Sequence, residues 1–72
     1  MPEFSERLKE LRKTRGLTQK QLAEETNASE RGIQNYEIKA RKPEHDALIA
    51  LADYFDVSLD YLVGRSDDPT RR

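Results

Sequence analysis

Residues 17–37, LTQKQLAEETNASERGIQNYE, determine the architecture that the rest of the chain supports. Thr18 and Gln21 have the spacing of a capping box at the start of a short helix. Asn27 follows that helix where a tight turn needs a residue that tolerates a positive φ. Ser29 is a favourable cap for a further helix. The stretch predicts two short helices joined by a turn of roughly three to four residues, which is a helix-turn-helix when other helices brace it.

Apolar residues on both sides of this pair repeat at the spacing of amphipathic helices. A first helix should end at Gly16, and a fifth should run from a Ser58 cap to Gly64. Between them, a basic connector over residues 38–43 stops at a proline before a fourth helix. The inward-facing apolar residues of the five helices should be Phe4, Leu8, Leu11, Leu22, Ala23, Ile33, Tyr36, Leu48, Leu51, Ala52, Phe55, Leu59, Leu62 and Val63. The sequence predicts a compact all-α domain over residues 1–64 and a mobile C-terminal tail over residues 65–72.

Composition excludes several kinds of site. There are no cysteines and a single histidine among 72 residues, so a disulfide, a thiolate metal site or a histidine cluster cannot form, and no metal or cofactor is expected. The N-terminus lacks the basic and apolar regions of a signal peptide, and no apolar run is long enough for a membrane span. A cytoplasmic protein with no membrane association is therefore expected.

Charge is distributed unevenly along the chain. Residues 1–43 carry ten Lys and Arg against seven Asp and Glu, whereas residues 44–72 carry three Arg against seven acidic residues. The net charge of −1 argues weakly against nucleic acid, since dedicated binders are usually basic overall. A basic half opposite an acidic half can nevertheless orient a protein on a polyanion.

The third helix presents residues suited to base recognition. If Ile33 points inward, then Arg31, Gln34 and Asn35 point away from the core. Arginine can bond guanine in two places, glutamine and asparagine can do so with adenine, and Glu30 could accept a hydrogen bond from cytosine. The alternative is an ordinary polar surface, because every surface helix has an outer polar face and an acid in the first turn favours the helix dipole.

Two further residues of this helix require an explanation. Gly32 lies on its flank, where glycine costs about 1 kcal/mol against alanine unless the backbone approaches something closely. Glu37 points only slightly away from the core direction, so it needs a cationic partner.

The combination of these features resembles the Cro/C1-type (XRE) helix-turn-helix family of bacterial and phage repressors. The segments that carry the resemblance are Leu-Thr-Gln-Lys-Gln-Leu-Ala at 17–23, Ala-Ser-Glu-Arg-Gly-Ile-Gln-Asn-Tyr-Glu at 28–37, Arg-Lys-Pro at 41–43, Leu-Ile-Ala-Leu-Ala at 48–52 and Phe-Asp-Val-Ser-Leu-Asp-Tyr-Leu at 55–62. The match covers roughly residues 4–63 and implies a lambda-repressor-like fold.

The resemblance implies a role for each matching position. The residues facing the major groove would be Glu30, Arg31, Gln34 and Asn35. The residues near the DNA backbone would be Thr18, Gln19, Lys20, Ser29, Gly32, Lys39, Arg41 and Lys42. Arg12 and Glu37 would form a structural ion pair between the first and third helices.

Three positions depart from the family pattern. Asn27 replaces the usual turn glycine and tolerates the same conformation. Ala28 replaces a larger apolar residue, which loosens the predicted helix-turn-helix core. Glu30 is acidic where uncharged or basic residues are more usual, so it should repel phosphate and sharpen specificity by penalising wrong sites.

The leading hypothesis is a sequence-specific double-stranded DNA-binding transcriptional regulator, a repressor that binds a palindromic operator as a homodimer. Its dimer surface would comprise Tyr54, Val57, Tyr61 and Val63, unless the valines are core and the tyrosines are ordinary surface. The alternative is an antitoxin or adaptor that binds a partner protein through the acidic half of the chain, at Asp46, Asp53, Asp56 and Asp60. An enzyme is not expected, because no nucleophile has a nearby base by sequence pattern and no Gly-rich phosphate loop exists.

Overall fold

Five α-helices form within residues 3–71, which are the residues that the computed structural model describes. They are α1 (Phe4–Thr14), α2 (Gln19–Glu25), α3 (Glu30–Glu37), α4 (His45–Phe55) and α5 (Leu59–Leu62). Residues 3–71 contain no strand and no sixth helix. The predicted all-α fold, with its helix-turn-helix at the second and third helices, is confirmed.

Side-chain caps start three of the helices at the predicted positions. At α2, Thr18 Oγ1 accepts a hydrogen bond from the Gln21 amide at 3.0 Å, and Gln21 Oε1 accepts one from the Thr18 amide at 2.8 Å. Ser29 accepts from the Gly32 amide at α3, and Ser58 caps α5 in the same way. Each cap stabilises its helix by about 1 kcal/mol, so the short helices begin where the sequence predicts.

Left-handed backbone marks the ends of helices. The residues with positive φ are Gly16, Asn27, Lys39, Asp56 and Gly64. The two glycines and Asn27 were predicted, whereas Lys39 and Asp56 were not. A left-handed conformation lets the next amide bond back to a carbonyl five residues earlier, at 2.9 Å after α3 and 3.0 Å after α4. These two bonds compensate a conformation that costs a non-glycine residue about 1–2 kcal/mol.

The core lies where all five helices meet. Its buried apolar residues are Leu8, Leu22, Ala23, Ile33, Tyr36, Leu51, Ala52, Phe55, Val57 and Leu62. Phe4, Leu11 and Leu48 pack against its edge. The inward prediction for Leu59 is wrong, since 42% of that residue is exposed: α5 is a single turn, and only Leu62 reaches the centre of the core from it.

The segment after α5 returns across α4 and α5. The carbonyl of Pro69 accepts a hydrogen bond from the Ser58 amide at 3.0 Å, and Arg71 Nη2 lies 2.6 Å from Asp53 Oδ1. The mobility predicted for residues 65–72 stays a prediction. The predicted domain starts at residue 1 and the predicted tail ends at residue 72, and both of those ends lie outside the described residues.

A cation is buried between α1 and this tail. Arg7 is only 5% exposed, its guanidinium carbon lies 3.8 Å from the centre of the Tyr61 ring, and its Nη2 lies 3.3 Å from Asp67 Oδ1. The composition of the chain did not indicate this site, although Arg7 stands on the same helical stripe as Phe4 and Leu11. The tail therefore supplies the carboxylate for a buried guanidinium.

Replacing that carboxylate should destabilise the protein. We expect Asp67→Asn to lower the free energy of unfolding by about 1 kcal/mol, because the buried Arg7 guanidinium loses its counter-charge and keeps only a neutral acceptor, while residue 67 is well exposed to water. Urea denaturation followed by circular dichroism measures the change. Glu10→Gln removes the same charge from an exposed site on α1 and is the matched control. Equal stability of both variants would contradict a role for Asp67.

Candidate nucleic-acid interface

Burial of the inner face of α3 sets the direction in which its outer face points. Ile33 and Tyr36 are buried in the core, which turns Arg31 and Gln34 outward into solvent, with Asn35 half-exposed beside them. Glu30 is exposed in the first turn of the helix. The side chains of these four outer residues make no hydrogen bond or ion pair with any residue in the described part of the chain. Their donors and acceptors are consequently free for an external ligand.

The chemistry of this outer face fits base edges. Arg31 offers paired donors that match guanine, and the amides of Gln34 and Asn35 each offer a donor and an acceptor that match adenine. Glu30 offers only acceptors while ionised, so it suits a cytosine amino group and repels phosphate. The combination favours selective contact with bases over general attraction to a polyanion.

Gly32 lies close to the capping residue of its own helix. A Cβ atom at this position would lie 3.0 Å from Ser29 Oγ, the atom that accepts the Gly32 amide. An added methyl group would require the capping hydroxyl to shift by a few tenths of an ångström. Because its amide is bonded to Ser29, Gly32 does not offer that donor to a phosphate.

A buried ion pair fixes the orientation of α3. Arg12 Nε lies 2.7 Å from Glu37 Oε2 and Arg12 Nη2 lies 3.0 Å from Glu37 Oε1, in a two-pronged arrangement. Only 5% of Glu37 is exposed. The hydrogen bond to Glu37 raises the pKa of the Arg12 guanidinium, while burial acts in the opposite direction. The structure thus joins α1 to the last residue of α3, as the resemblance implied.

The same carboxylate also holds the start of α2. Gln19 Nε2 donates to Glu37 Oε1 at 3.1 Å, and Arg12 Nη1 donates to the carbonyl of Leu17 at 2.8 Å. The bond between Gln19 and Glu37 was not predicted, although the inward direction of Glu37 was a signal for it. One hydrogen of the Gln19 amide group is therefore committed, and a phosphate can reach only the other hydrogen or the backbone.

Backbone amides and a lysine mark the N-terminal end of α2. The Thr18 amide is already bonded within the capping box. The next two amides, of Gln19 and Lys20, have no intrahelical partner because they lie in the first turn. Lys20 is exposed and forms no ion pair with a described residue.

The three cations of the connector differ in their partners. Lys39 Nζ lies 2.6 Å from Glu3 Oε2, and their hydrogen bond and attraction raise the pKa of Lys39 and lower the pKa of Glu3. Arg41 lies 3.7 Å from Glu44. Lys42 forms no ion pair within residues 3–71. Lys42 is therefore the connector cation most available to a phosphate.

The predicted dimer surface is only partly exposed. Val57 is 6% exposed and belongs to the core, so its place on that surface is wrong: its side chain is already covered by the protein's own residues. Tyr61 is half-buried beneath Arg7, Tyr54 is half-buried near Arg15, and Val63 is half-buried. Sequence reasoning missed the exposed apolar side chains on the same two helices, Ile49 and Leu59.

The acidic half of the chain is partly neutralised from within. Arg71 lies 2.6 Å from Asp53 and 3.7 Å from Asp56, which leaves Asp46 and Asp60 as the exposed acids of this set that form no ion pair within residues 3–71. Binding of a partner protein through these acids stays a prediction.

Residues 3–71 contain neither a candidate metal centre nor a candidate membrane span. No group of three or more His, Asp or Glu residues there is placed to hold a metal ion. No helix in that range is long and apolar enough to cross a membrane.

Known proteins share both the sequence pattern and the fold. A family model described as helix-turn-helix matches residues 8–62. The chain is 42% identical to the uncharacterised HTH-type transcriptional regulator YobD of Bacillus subtilis over 92% of its own length, and 42% identical to the HTH-type transcriptional regulator ImmR of the same organism over 89%. It spans 59% and 50% of the lengths of these two relatives. Both relatives are named as transcriptional regulators and neither as an enzyme.

A solved repressor has a closely similar backbone. The P22 c2 repressor protein, crystallised in complex with a synthetic operator, superimposes with a TM-score of 0.85 over 92% of this chain and 100% of the repressor chain, at 26% identity. The agreement extends to the whole arrangement of helices that surrounds α3.

Removing the buried carboxylate should weaken the fold. We expect Glu37→Gln to lower the free energy of unfolding by about 3 kcal/mol, because the largely buried Arg12 guanidinium loses its counter-charge. Thermal and urea denaturation measure this loss. Glu24→Gln makes the same change at an exposed position of α2 and should be nearly neutral. A Glu37→Gln protein as stable as the control would show that the pair does not hold α1 and α3 together.

Proposed function

The chain belongs to the helix-turn-helix family, and on that premise we propose that it is a sequence-specific double-stranded DNA-binding transcriptional regulator that acts as a repressor. One observation carries the proposal. The outer face of α3 presents four polar side chains without internal partners, on a helix whose orientation is fixed by the buried Arg12–Glu37 pair. The similarity to a repressor crystallised with its operator supports the same conclusion.

The proposed recognition uses the N-terminal part of α3 in the major groove. Arg31 reads guanine, Gln34 and Asn35 read adenine, and Glu30 excludes sites that would bring a phosphate close to it. These contacts carry the sequence information. Repression follows when the bound protein covers a promoter.

Contacts with the DNA backbone set the position of the protein on the duplex. Lys20 and Lys42 supply cations without internal ion pairs among the described residues, and the first amides of α2 supply neutral donors. Ser29, Gly32, Thr18 and Gln19 lie close to the backbone in this arrangement but have part of their hydrogen-bonding capacity committed within the protein. Lys39 and Arg41 contribute charge that Glu3 and Glu44 reduce.

The proposed active form is a homodimer on a palindromic site in the cytoplasm. One α3 is eight residues long and reads few bases, so two copies one helical turn apart, roughly 34–36 Å, are needed for a selective site. Tyr54, Tyr61 and Val63 remain part of the proposed contact, and the exposed Ile49 and Leu59 on the same helices extend it.

Two substitutions should separate base reading from backbone contact. We expect Arg31→Ala to abolish preference at one base pair, with a loss of about 1–3 kcal/mol of discrimination. Lys42→Ala should instead weaken binding to all sequences similarly and reduce the slope of log affinity against log salt by about 0.9. Fluorescence anisotropy with matched and mismatched duplexes over a range of salt concentrations measures both quantities. Retained site preference in Arg31→Ala would rule out direct reading by that side chain.

Selection from random DNA tests the operator and the dimer together. The protein is incubated with a random double-stranded pool at physiological salt, and the retained fraction is sequenced. We expect an enriched inverted repeat with half-sites one helical turn apart. Weak binding without enrichment that vanishes as salt rises would instead indicate non-specific phosphate contact. Co-purification of an untagged partner in that case would favour the antitoxin or adaptor alternative.

A further inference from the structure

A cleft of about 530 Å³ opens beside the connector between α3 and α4. Its wall includes the first residues of α1, the inner side of the connector, and side chains from α4 and the end of α5. This volume falls within the range of sites that bind small organic molecules. The four predicted base-reading side chains do not line it, so it is separate from the base-reading face.

The floor of the cleft is apolar and partly aromatic. Phe4 and Tyr36 meet edge to face there, with ring centres 5.9 Å apart, and Leu48 lies beside them. Phe4 and Leu48 are only half-buried, so the floor has apolar surface that a ligand can cover. Covering such surface favours a ligand with an apolar body.

The rim of the cleft is cationic. Lys39, Arg41 and Lys42 all line it, but Lys39 is paired with Glu3 and Glu6, and Arg41 lies 3.7 Å from Glu44. Glu3 is committed to Lys39, while Lys42 has no ion pair among residues 3–71. The unpaired charge of Lys42 at the mouth of the cleft favours an anionic group on the ligand.

Ser5, one of the residues that line the cleft, has a buried hydroxyl without a partner among the described residues. Ser5 is 5% exposed, and its Oγ makes no hydrogen bond within residues 3–71. An unpaired buried hydroxyl is unfavourable, because the hydrogen bonds it made to water in the unfolded chain are not replaced. A polar atom on the body of a bound molecule would provide a hydrogen-bond partner.

We propose that this cleft binds a small organic anion with an apolar body, and that the bound anion competes with DNA for the cations of the connector. The apolar body covers Phe4, Tyr36 and Leu48, the anionic group lies at Lys42, and the Ser5 hydroxyl bonds a polar atom of the body. The competition rests on the proposed DNA-binding function, because it requires the connector cations to contact phosphate. Binding of the anion to the cleft does not depend on DNA.

The test uses two fluorescent probes that differ by one charged group. Anilinonaphthalene sulfonate has an apolar aromatic body, a bridging amine and a sulfonate, and its parent phenylnaphthylamine lacks the sulfonate. Binding is measured by fluorescence titration of the folded protein, far below its melting temperature. We expect the sulfonate probe to bind about tenfold more tightly than the parent, and to lose that advantage as salt rises. Equal affinities, or no saturable binding of either probe, would overturn the proposal.

Paired variants assign the contacts. Lys42→Gln should weaken the sulfonate probe several-fold and leave the uncharged parent unchanged. Lys20→Gln removes a cation that does not line the cleft and should change neither probe. Ser5→Ala should weaken both probes while the melting temperature holds or rises, since it removes an unpaired buried hydroxyl. Equal effects of Lys42→Gln and Lys20→Gln would show diffuse charge attraction and overturn the site. Unchanged affinities in Ser5→Ala would overturn the part assigned to the hydroxyl.

A separate measurement tests competition with DNA. Saturating sulfonate probe should weaken binding to a duplex retained from the random pool about tenfold, whereas the parent compound at saturation should weaken it much less. Probe binding without any effect on DNA affinity would overturn the competition, while the proposal that the cleft binds an organic anion would stand. Absence of DNA binding by the protein alone would count against the proposed function, and the fluorescence titrations would still decide on the cleft.

Discussion

The Glu37 carboxylate is the constraint on which the rest of the structure depends. It accepts hydrogen bonds from Arg12 on α1 and Gln19 on α2 while it stands at the end of α3, so three helices meet at one buried charge. Apolar packing alone tolerates small rotations of a short helix, whereas a two-pronged ion pair has a strong directional preference. The outward direction of the polar face of α3 therefore follows from an interaction on its opposite side.

A second buried charge is paired in a different way, through one of its nitrogens only, since Arg7 Nε has no hydrogen-bond partner within residues 3–71. Arg7 has its carboxylate partner on the segment after α5, which contains no apolar residue over 65–72. A segment without apolar residues has no apolar surface to bury, so its composition does not favour an ordered structure. In the structure it gains contacts through charged and backbone groups, at Asp67, Pro69 and Arg71, rather than through burial of apolar surface. Electrostatic contacts are weakened by salt, so the association of this segment depends on ionic strength more than the core does.

Local sequence signals predicted most of the fold because they act over a single turn. The caps at Thr18, Ser29 and Ser58 and the turn at Asn27 each depend on neighbours within a few residues, and each lies where it was expected. Predictions failed where the decisive partner is distant in sequence. Nothing near Val57 distinguishes core from surface, and nothing near Asp67 identifies a guanidinium sixty positions away. The cation and aromatic partners of the cleft are likewise contributed by separate elements, so no linear pattern contains them.

The outer side chains of α3 lack any partner within the described residues, so their substitution removes no internal side-chain contact. Substitutions at Arg31, Gln34 or Glu30 alter the proposed base-reading surface without breaking a side-chain contact within the described residues. Substitutions at Ile33, Tyr36 or Glu37 affect folding instead. Mutations at sites that share no partners usually add independently in their effect on stability. A new binding specificity can therefore evolve, or be engineered, in small steps on an unchanged scaffold, with no intermediate that must first lose its fold.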